Sequence, residues 1–194
     1  GSMIIFRLDA YGGLLGGNRS YTKYNLDLRN YITFFKNITI ASRLNGGLIT
    51  GWKGEYDQYE TILFEKFYLG GSNTLRAVRP LRLLNYNNDK YDNDGDGIID
   101  EDDEDRNIPS GKEIMTLTNI ELRFPILWEL GGVLFFDGGN IYSDSKKIGL
   151  ESLVWNHGVA LTLNLPVGPI RIDYARDSIN PKIYQIQLGF LYAF

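Results

Sequence analysis

Tyr21-Thr22-Lys23-Tyr24-Asn25-Leu26-Asp27-Leu28-Arg29-Asn30-Tyr31-Ile32-Thr33-Phe34-Phe35 decides the fold class. Tyr24, Leu26, Leu28, Ile32 and Phe34 fall on one parity, and Lys23, Asn25, Asp27, Arg29, Tyr31 and Thr33 on the other. A period of two held over this whole stretch is a strand, because a helix at about 3.6 residues per turn would scatter the same side chains around its axis. The alternation recurs, with less contrast, over residues 4–13, 38–52, 113–124, 132–142, 155–165, 169–175 and 183–194. No helical segment competes with these eight.

The connections alternate in length. Lys36-Asn37, Pro166-Val167-Gly168 and a Pro-containing link over 124–132 are short, whereas 14–20, the stretch before 113, 143–154 and 176–182 are long. Short turns on one rim and long loops on the other are the layout of an eight-stranded, antiparallel, up-and-down transmembrane β-barrel. An even strand count puts both chain ends on the short-turn rim. Residues 1–3, Gly-Ser-Met, read as a cloning scar, and 4–194 as the barrel domain.

Alternation alone does not say which face is inside, since a soluble ligand-binding barrel would hide its apolar row. Here the polar row holds Arg7, Lys23, Arg29, Arg43, Arg123 and Arg171 against Asp9, Asp27, Glu121, Asp137 and Asp173, a near-balanced set able to pair across a narrow interior. The apolar row carries Tyr24, Phe34, Phe124, Trp128, Tyr142, Trp155, Tyr184 and Phe194 near its segment ends, where a lipid-facing band meets headgroups. The expectation is that lipid touches the apolar row and that the chain resides in the bacterial outer membrane.

Composition removes other classes. The net charge of −4 supplies no basic field for nucleic acid, and zero cysteines remove disulfides and thiolate metal sites. Residues 124–136, the most apolar run, contain Pro125 and Glu129 and are no transmembrane helix. A single histidine, His157, sits on the apolar parity, and Gly70-Gly71-Ser72-Asn73-Thr74 lacks the closing glycine of a nucleophile elbow. No phosphate-cradling loop follows a strand, so the chain is expected not to be an enzyme.

The charge is unevenly placed. Residues 53–112 hold 14 acidic and 8 basic side chains, a net of −6, which leaves +2 for the other 134 residues. A loop of this length in a compact domain is a functional or exposed excursion. Within it, Asp92, Asp94, Asp96, Gly97, Ile98, Asp100 and Asp103 follow calcium-loop spacing, with carboxylates at positions 1, 3, 5, 9 and 12, glycine at 6 and the Ile98 carbonyl at 7. Asp103 replaces the usual glutamate and neither flank reads as helical, so any Ca2+ binding is expected to be weak, about 10⁻⁴–10⁻³ M.

Five stretches resemble one family. Gln187-Leu188-Gly189-Phe190-Leu191-Tyr192-Ala193-Phe194 resembles the C-terminal signal of bacterial outer-membrane proteins, here carried by Gln187, Gly189, Tyr192 and Phe194. Phe67-Tyr68-Leu69-Gly70-Gly71-Ser72-Asn73-Thr74-Leu75-Arg76 resembles the loop motif of the BamA-type outer-membrane assembly superfamily, also called the bacterial surface antigen family. Asn119-Ile120-Glu121-Leu122-Arg123-Phe124-Pro125, Phe135-Phe136-Asp137-Gly138-Gly139-Asn140 and Gly168-Pro169-Ile170-Arg171-Ile172-Asp173-Tyr174-Ala175 are similar to its later strands, in order. The resemblance covers the chain after the scar and corresponds to the C-terminal half of the family's sixteen-stranded barrel.

The resemblance implies that Arg76, presented by a loop with Gly70 and Gly71, reaches Asp137 on the inner wall, with Glu121 as a second candidate partner. Ala77 and Val78 stand where the family has glycine and an aromatic, a departure at the loop tip. It further implies strand exchange at a weak seam between segments 4–13 and 183–194, client outer-membrane proteins as partners, and help with their insertion. The alternative is a structural barrel anchoring a calcium-binding surface loop without translocase activity; a narrow solute pore comes third. An eight-stranded barrel has an interior filled by its own side chains, so a closed monomer would keep the motif loop at its outer rim. Otherwise a second copy of the chain, or an N-terminal half, would close a larger ring.

Overall fold

The computed structural model describes residues 1–12, 20–35, 37–51, 65–80, 111–143, 145–166, 168–178, 180 and 182–190. Eight strands form one antiparallel sheet in sequence order: β1 (Ser2–Tyr11), β2 (Tyr21–Phe34), β3 (Ile38–Gly51), β4 (Ile114–Leu127), β5 (Leu130–Tyr142), β6 (Val154–Leu165), β7 (Gly168–Asp177) and β8 (Tyr184–Phe190). The deciding stretch is β2, flanked by β1 through Leu8↔Tyr24 and by β3 through Leu28↔Leu44. Among the described residues no ladder joins β8 to β1. No helix among them is long and apolar enough to cross a membrane, which says nothing about crossing by strands.

Pairing extends beyond two of the expected segments. The β1 ladder reaches Ser2, opposite Asn30. β4 runs through Pro125 to Leu127, with a register shift between Pro125 and Leu127, so the expected Pro-containing link is instead the end of a strand. A proline cannot donate to a ladder, and an irregularity beside it accommodates the missing N–H. The tight turns after β2 and β4 place Phe35 and Trp128 at φ 45° and 50°, unusual for aromatic residues, and both side chains project from the short-turn rim.

The two faces differ as the alternation demands. The apolar row (Ile4, Phe6, Leu8, Leu26, Leu44, Leu134, Val159, Leu161, Ile172, Ile186, Leu188) is exposed along the outer face. Buried residues lie on the opposite, inner face, under residues 65–80, which lie across it. Tyr21, Ile49, Met115, Leu117, Ile141 and Val154 from the strands pack with Phe67, Leu69 and Leu75 from that segment. A second cluster joins Ala77 to Val133, Phe135, Ala160 and Ala175. One expected rim aromatic departs from the pattern: Tyr142 is buried, its hydroxyl 2.8 Å from Ser152 Oγ in the connection before β6.

Candidate functional site

The site begins with how residues 65–80 are fixed to the wall. Phe67 and Lys112 exchange backbone hydrogen bonds at 2.9 and 3.1 Å, tying the start of this segment to the residues just before β4. The Phe67 ring lies where a Cβ on Gly47 of β3 would stand, so only glycine admits it there. Gly70 and Gly71 take φ of 115° and 103°, the left-handed side of backbone space that glycine occupies without strain. That geometry lets Gly71 N–H donate to Val78 carbonyl at 3.0 Å and Gly70 N–H to Thr74 Oγ1 at 2.9 Å, folding the segment into a compact turn.

The turn presents Arg76, which has no exposed surface, to the inner wall. Its Nε donates to Asp137 Oδ2 at 2.7 Å and its Nη2 to Asp137 Oδ1 at 2.5 Å, a two-pronged pair. Its Nη1 donates to Glu121 Oε1 at 2.5 Å and lies 3.5 Å from Asp173 Oδ1. The guanidinium also sits 3.6 Å from the centre of the Phe135 ring. The structure therefore brings Arg76 together with Asp137 on β5 and Glu121 on β4, the residues the resemblance nominated. Burial alone would disfavour the Arg76 charge, but Asp137 and then Glu121 outweigh it and raise the pKa above the ordinary arginine value.

The surroundings of Arg76 extend beyond its two expected partners. Arg171 and Asp173 on β7 complete the cluster: Arg171 Nε donates to Asp173 Oδ1 at 2.7 Å, and its Nη1 lies 2.9 Å from Glu121 Oε1. Arg123 donates to Glu121 Oε2 at 2.8 Å. Three arginines thus face three carboxylates, a balanced set shut from water except at Arg123, which is partly exposed. The signal was present in Arg171-Ile172-Asp173, whose spacing of two puts both charges on one face.

Neutral groups finish the seat. Asn119 Nδ2 donates to the Thr74 carbonyl at 2.8 Å and to Asp137 Oδ1 at 2.9 Å. Gln187 of β8 donates to the Arg76 carbonyl at 2.8 Å, so one residue of the expected C-terminal signal also holds the loop. Farther along the wall, Arg43 Nη1 donates to the Asn73 carbonyl at 3.0 Å while its other nitrogens bind Asp27. Ala77 fits without glycine, its methyl buried against Phe135 and Ala175. Gly189 lies in β8. Tyr192 and Phe194, and the whole candidate calcium set from Asp92 to Asp103, lie outside the described residues.

A family model, the Omp85 superfamily domain, matches residues 1–194. A curated relative, the outer membrane protein assembly factor BamA of Nitratidesulfovibrio vulgaris, is 25% identical over 166 residues, 84% of this chain and 18% of that protein. The crystal structure of BamA from Haemophilus ducreyi lacking POTRA domains 1-3 superposes with a TM-score of 0.67 at 17% identity, covering 98% of this chain and 37% of that one. This chain thus spans well under half the length of either, and the structural likeness speaks to the fold.

Proposed function

The chain belongs to the Omp85 superfamily, and on that premise we propose that it is a β-barrel element of the bacterial outer membrane that assists the insertion of client outer-membrane proteins. Its lipid contact is the exposed apolar row; its polypeptide contact is the end of the sheet, where β1 and β8 present strand edges. The observation that carries the reading is the seat of Arg76. A sixteen-residue segment is clamped against the inner wall by an ion cluster reaching three strands, which stiffens β4 to β7 and leaves β1 outside the clamp. A stiffened wall beside a strand that lies outside the clamp is the mechanical arrangement that strand exchange needs.

The same seat bears on closure. A segment with Leu69, Leu75 and Arg76 fully buried occupies space that an eight-stranded barrel fills with its own wall residues. This favours the larger ring over closure of the chain on itself. We read the chain as non-enzymatic: among the described residues, Arg76, Arg123 and Arg171 are engaged in pairing with Glu121, Asp137 and Asp173.

The test is kinetic. A urea-denatured small outer-membrane barrel is diluted into liposomes with and without this chain, and folding is followed by heat-dependent gel mobility and protease protection. Faster insertion in the loaded liposomes, lost in Arg76→Ala, is expected. Equal rates with a chain that is itself folded and inserted would overturn the proposal. The calcium-loop alternative stands on spacing alone; it predicts a melting temperature that rises with millimolar Ca2+ and falls with chelator, and an unchanged value removes it.

A further inference from the structure

We propose that the outer face of the sheet carries a docking site for the phosphate of an anionic lipid headgroup, formed by His157 of β6 and Arg176 of β7. The proposal rests on the reading that the outward row faces lipid and is independent of any role in protein insertion.

Among the described residues, the outward parity of the eight strands carries a single charged side chain, Arg176, and a single imidazole, His157. Both are exposed. Strand pairing brings them together, His157 being the register partner of Arg176. Residues directly opposite in an antiparallel pair have Cβ atoms about 4.5–5.5 Å apart, so a ring N–H and a guanidinium fork can reach oxygens of one phosphate. A cation on a hydrocarbon-facing row is costly at mid-membrane and tolerated where it reaches the headgroups. Arg176 stands eight residues beyond Gly168, about 27 Å along the strand and about 20 Å across the membrane at the usual tilt. That is close to the long-loop edge of an apolar band about 25 Å tall, and the long side chain carries its charge the remaining distance.

The surroundings orient the pair. Ser178 Oγ lies 3.0 Å from His157 Nδ1, and Ser178 is itself tied to β6, its N–H donating to the Trp155 carbonyl at 2.8 Å. With the hydroxyl donating to Nδ1, the ring proton sits on Nε2, available to an acceptor. Asp177, next in sequence to Arg176, is buried on the opposite parity and accepts from the Asn180 N–H at 2.8 Å, so it adds no negative charge to this row. Rings flank the pair on both sides: Phe136 stacks on Trp155 with centroids 5.0 Å apart, and Tyr174 lies 6.1 Å from Tyr184. Register places Phe136, His157, Arg176 and Tyr184 in one transverse line over β5 to β8. Toward the membrane interior, Val159, Leu161 and Ile172 are exposed and offer acyl chains an apolar bed. Two phosphate donors above such a bed, framed by rings of the kind that settle at headgroup depth, fit a lipid and not a free anion.

Trp155 supplies the reporter. Trp52→Phe with Trp128→Phe leaves it as the sole tryptophan, and the protein is reconstituted in vesicles of phosphatidylcholine and phosphatidylglycerol, one or the other brominated. The ratio of quenching by the two brominated lipids gives their relative affinity beside Trp155. Phosphatidylglycerol should be favoured by about fivefold, the factor equivalent to about 1 kcal/mol for a basic side chain at an anionic surface. General attraction does not supply this, because the chain as a whole carries −4. Arg176→Gln with His157→Gln should bring the ratio to one, and Arg176→Lys alone should keep most of the preference. A chain whose sole tryptophan is Trp128, at the short-turn rim, should show no preference. Equal quenching by both lipids at Trp155 overturns the proposal while leaving the lipid-facing row in place, as does the same preference at Trp128 or one that survives the double substitution. Absence of quenching by either lipid in folded, heat-modifiable protein removes the lipid-facing reading and the proposal with it.

Discussion

Arg76 holds its charge where no water reaches it, and this is tolerable only because Asp137 and Glu121 meet it in near-ideal geometry. Removing one partner from such a pair strands the others, at a cost of roughly 3–5 kcal/mol. Arg76→Ala should therefore lower the thermal unfolding midpoint in detergent, reflecting a stability loss of that order, and Arg76→Lys should recover only part, since an ammonium cannot grip Asp137 with two prongs. A midpoint for Arg76→Ala indistinguishable from the parent would mean the cluster contributes nothing net. Glu121 is the busier carboxylate, shared by Arg76, Arg123 and Arg171, whereas Asp137 serves Arg76 and Asn119. Glu121→Gln should accordingly destabilise more than Asp137→Asn in the same melt; the reverse order would relocate the centre of the network.

At the scale of the strand, the outer row gives a test of solvent. Leu161 of β6 is about half exposed, so in water an arginine there would be nearly neutral, but at a bilayer midplane it costs about 2–4 kcal/mol. Folding of Leu161→Arg into liposomes should be impaired by that amount, measured as a shift in urea midpoint, and no shift would place the row in water. The strands themselves were legible because β2 and its neighbours alternate without interruption, and a period of two survives whatever packs on either face. The β4–β5 turn was misplaced because Pro125 reads as a break, while the ladder tolerates it at a bulge. Asp137 and Glu121 were reachable only through family resemblance, since parity puts many charges on the same face and cannot say which one a distant loop will touch. Arg171 and Asp173 share that parity, and parity carries no sign that the cluster around Arg76 reaches past β5 to them. Tyr142 departs from its row for a related reason: the connection before β6 covers it, and periodicity carries no information about what a loop covers.

Taken as a whole, the molecule has an inverted economy of burial, with its greasy surface outside and a borrowed core made by one segment laid over an ionic wall. Leu69 and Leu75 are fully buried, yet both belong to that segment and not to the sheet. The sheet's backbone ladders do not depend on them, so the segment should be releasable without dissolving the strands. Each leucine truncated to alanine forfeits about 2–5 kcal/mol, with the pair less than additive because both pack in one cluster. Leu69→Ala with Leu75→Ala should keep the β signature in circular dichroism while freeing the segment from the wall. Trypsin supplies the readout, because the bond after Arg76 is cleavable only when that side chain leaves Asp137. A fragment ending at Arg76 should appear rapidly in the double variant and slowly in the parent, by mass spectrometry of protein held in detergent. Equal cleavage in both would mean that the loop leaves its seat freely, and a clamp that opens so readily could not stiffen β4 to β7.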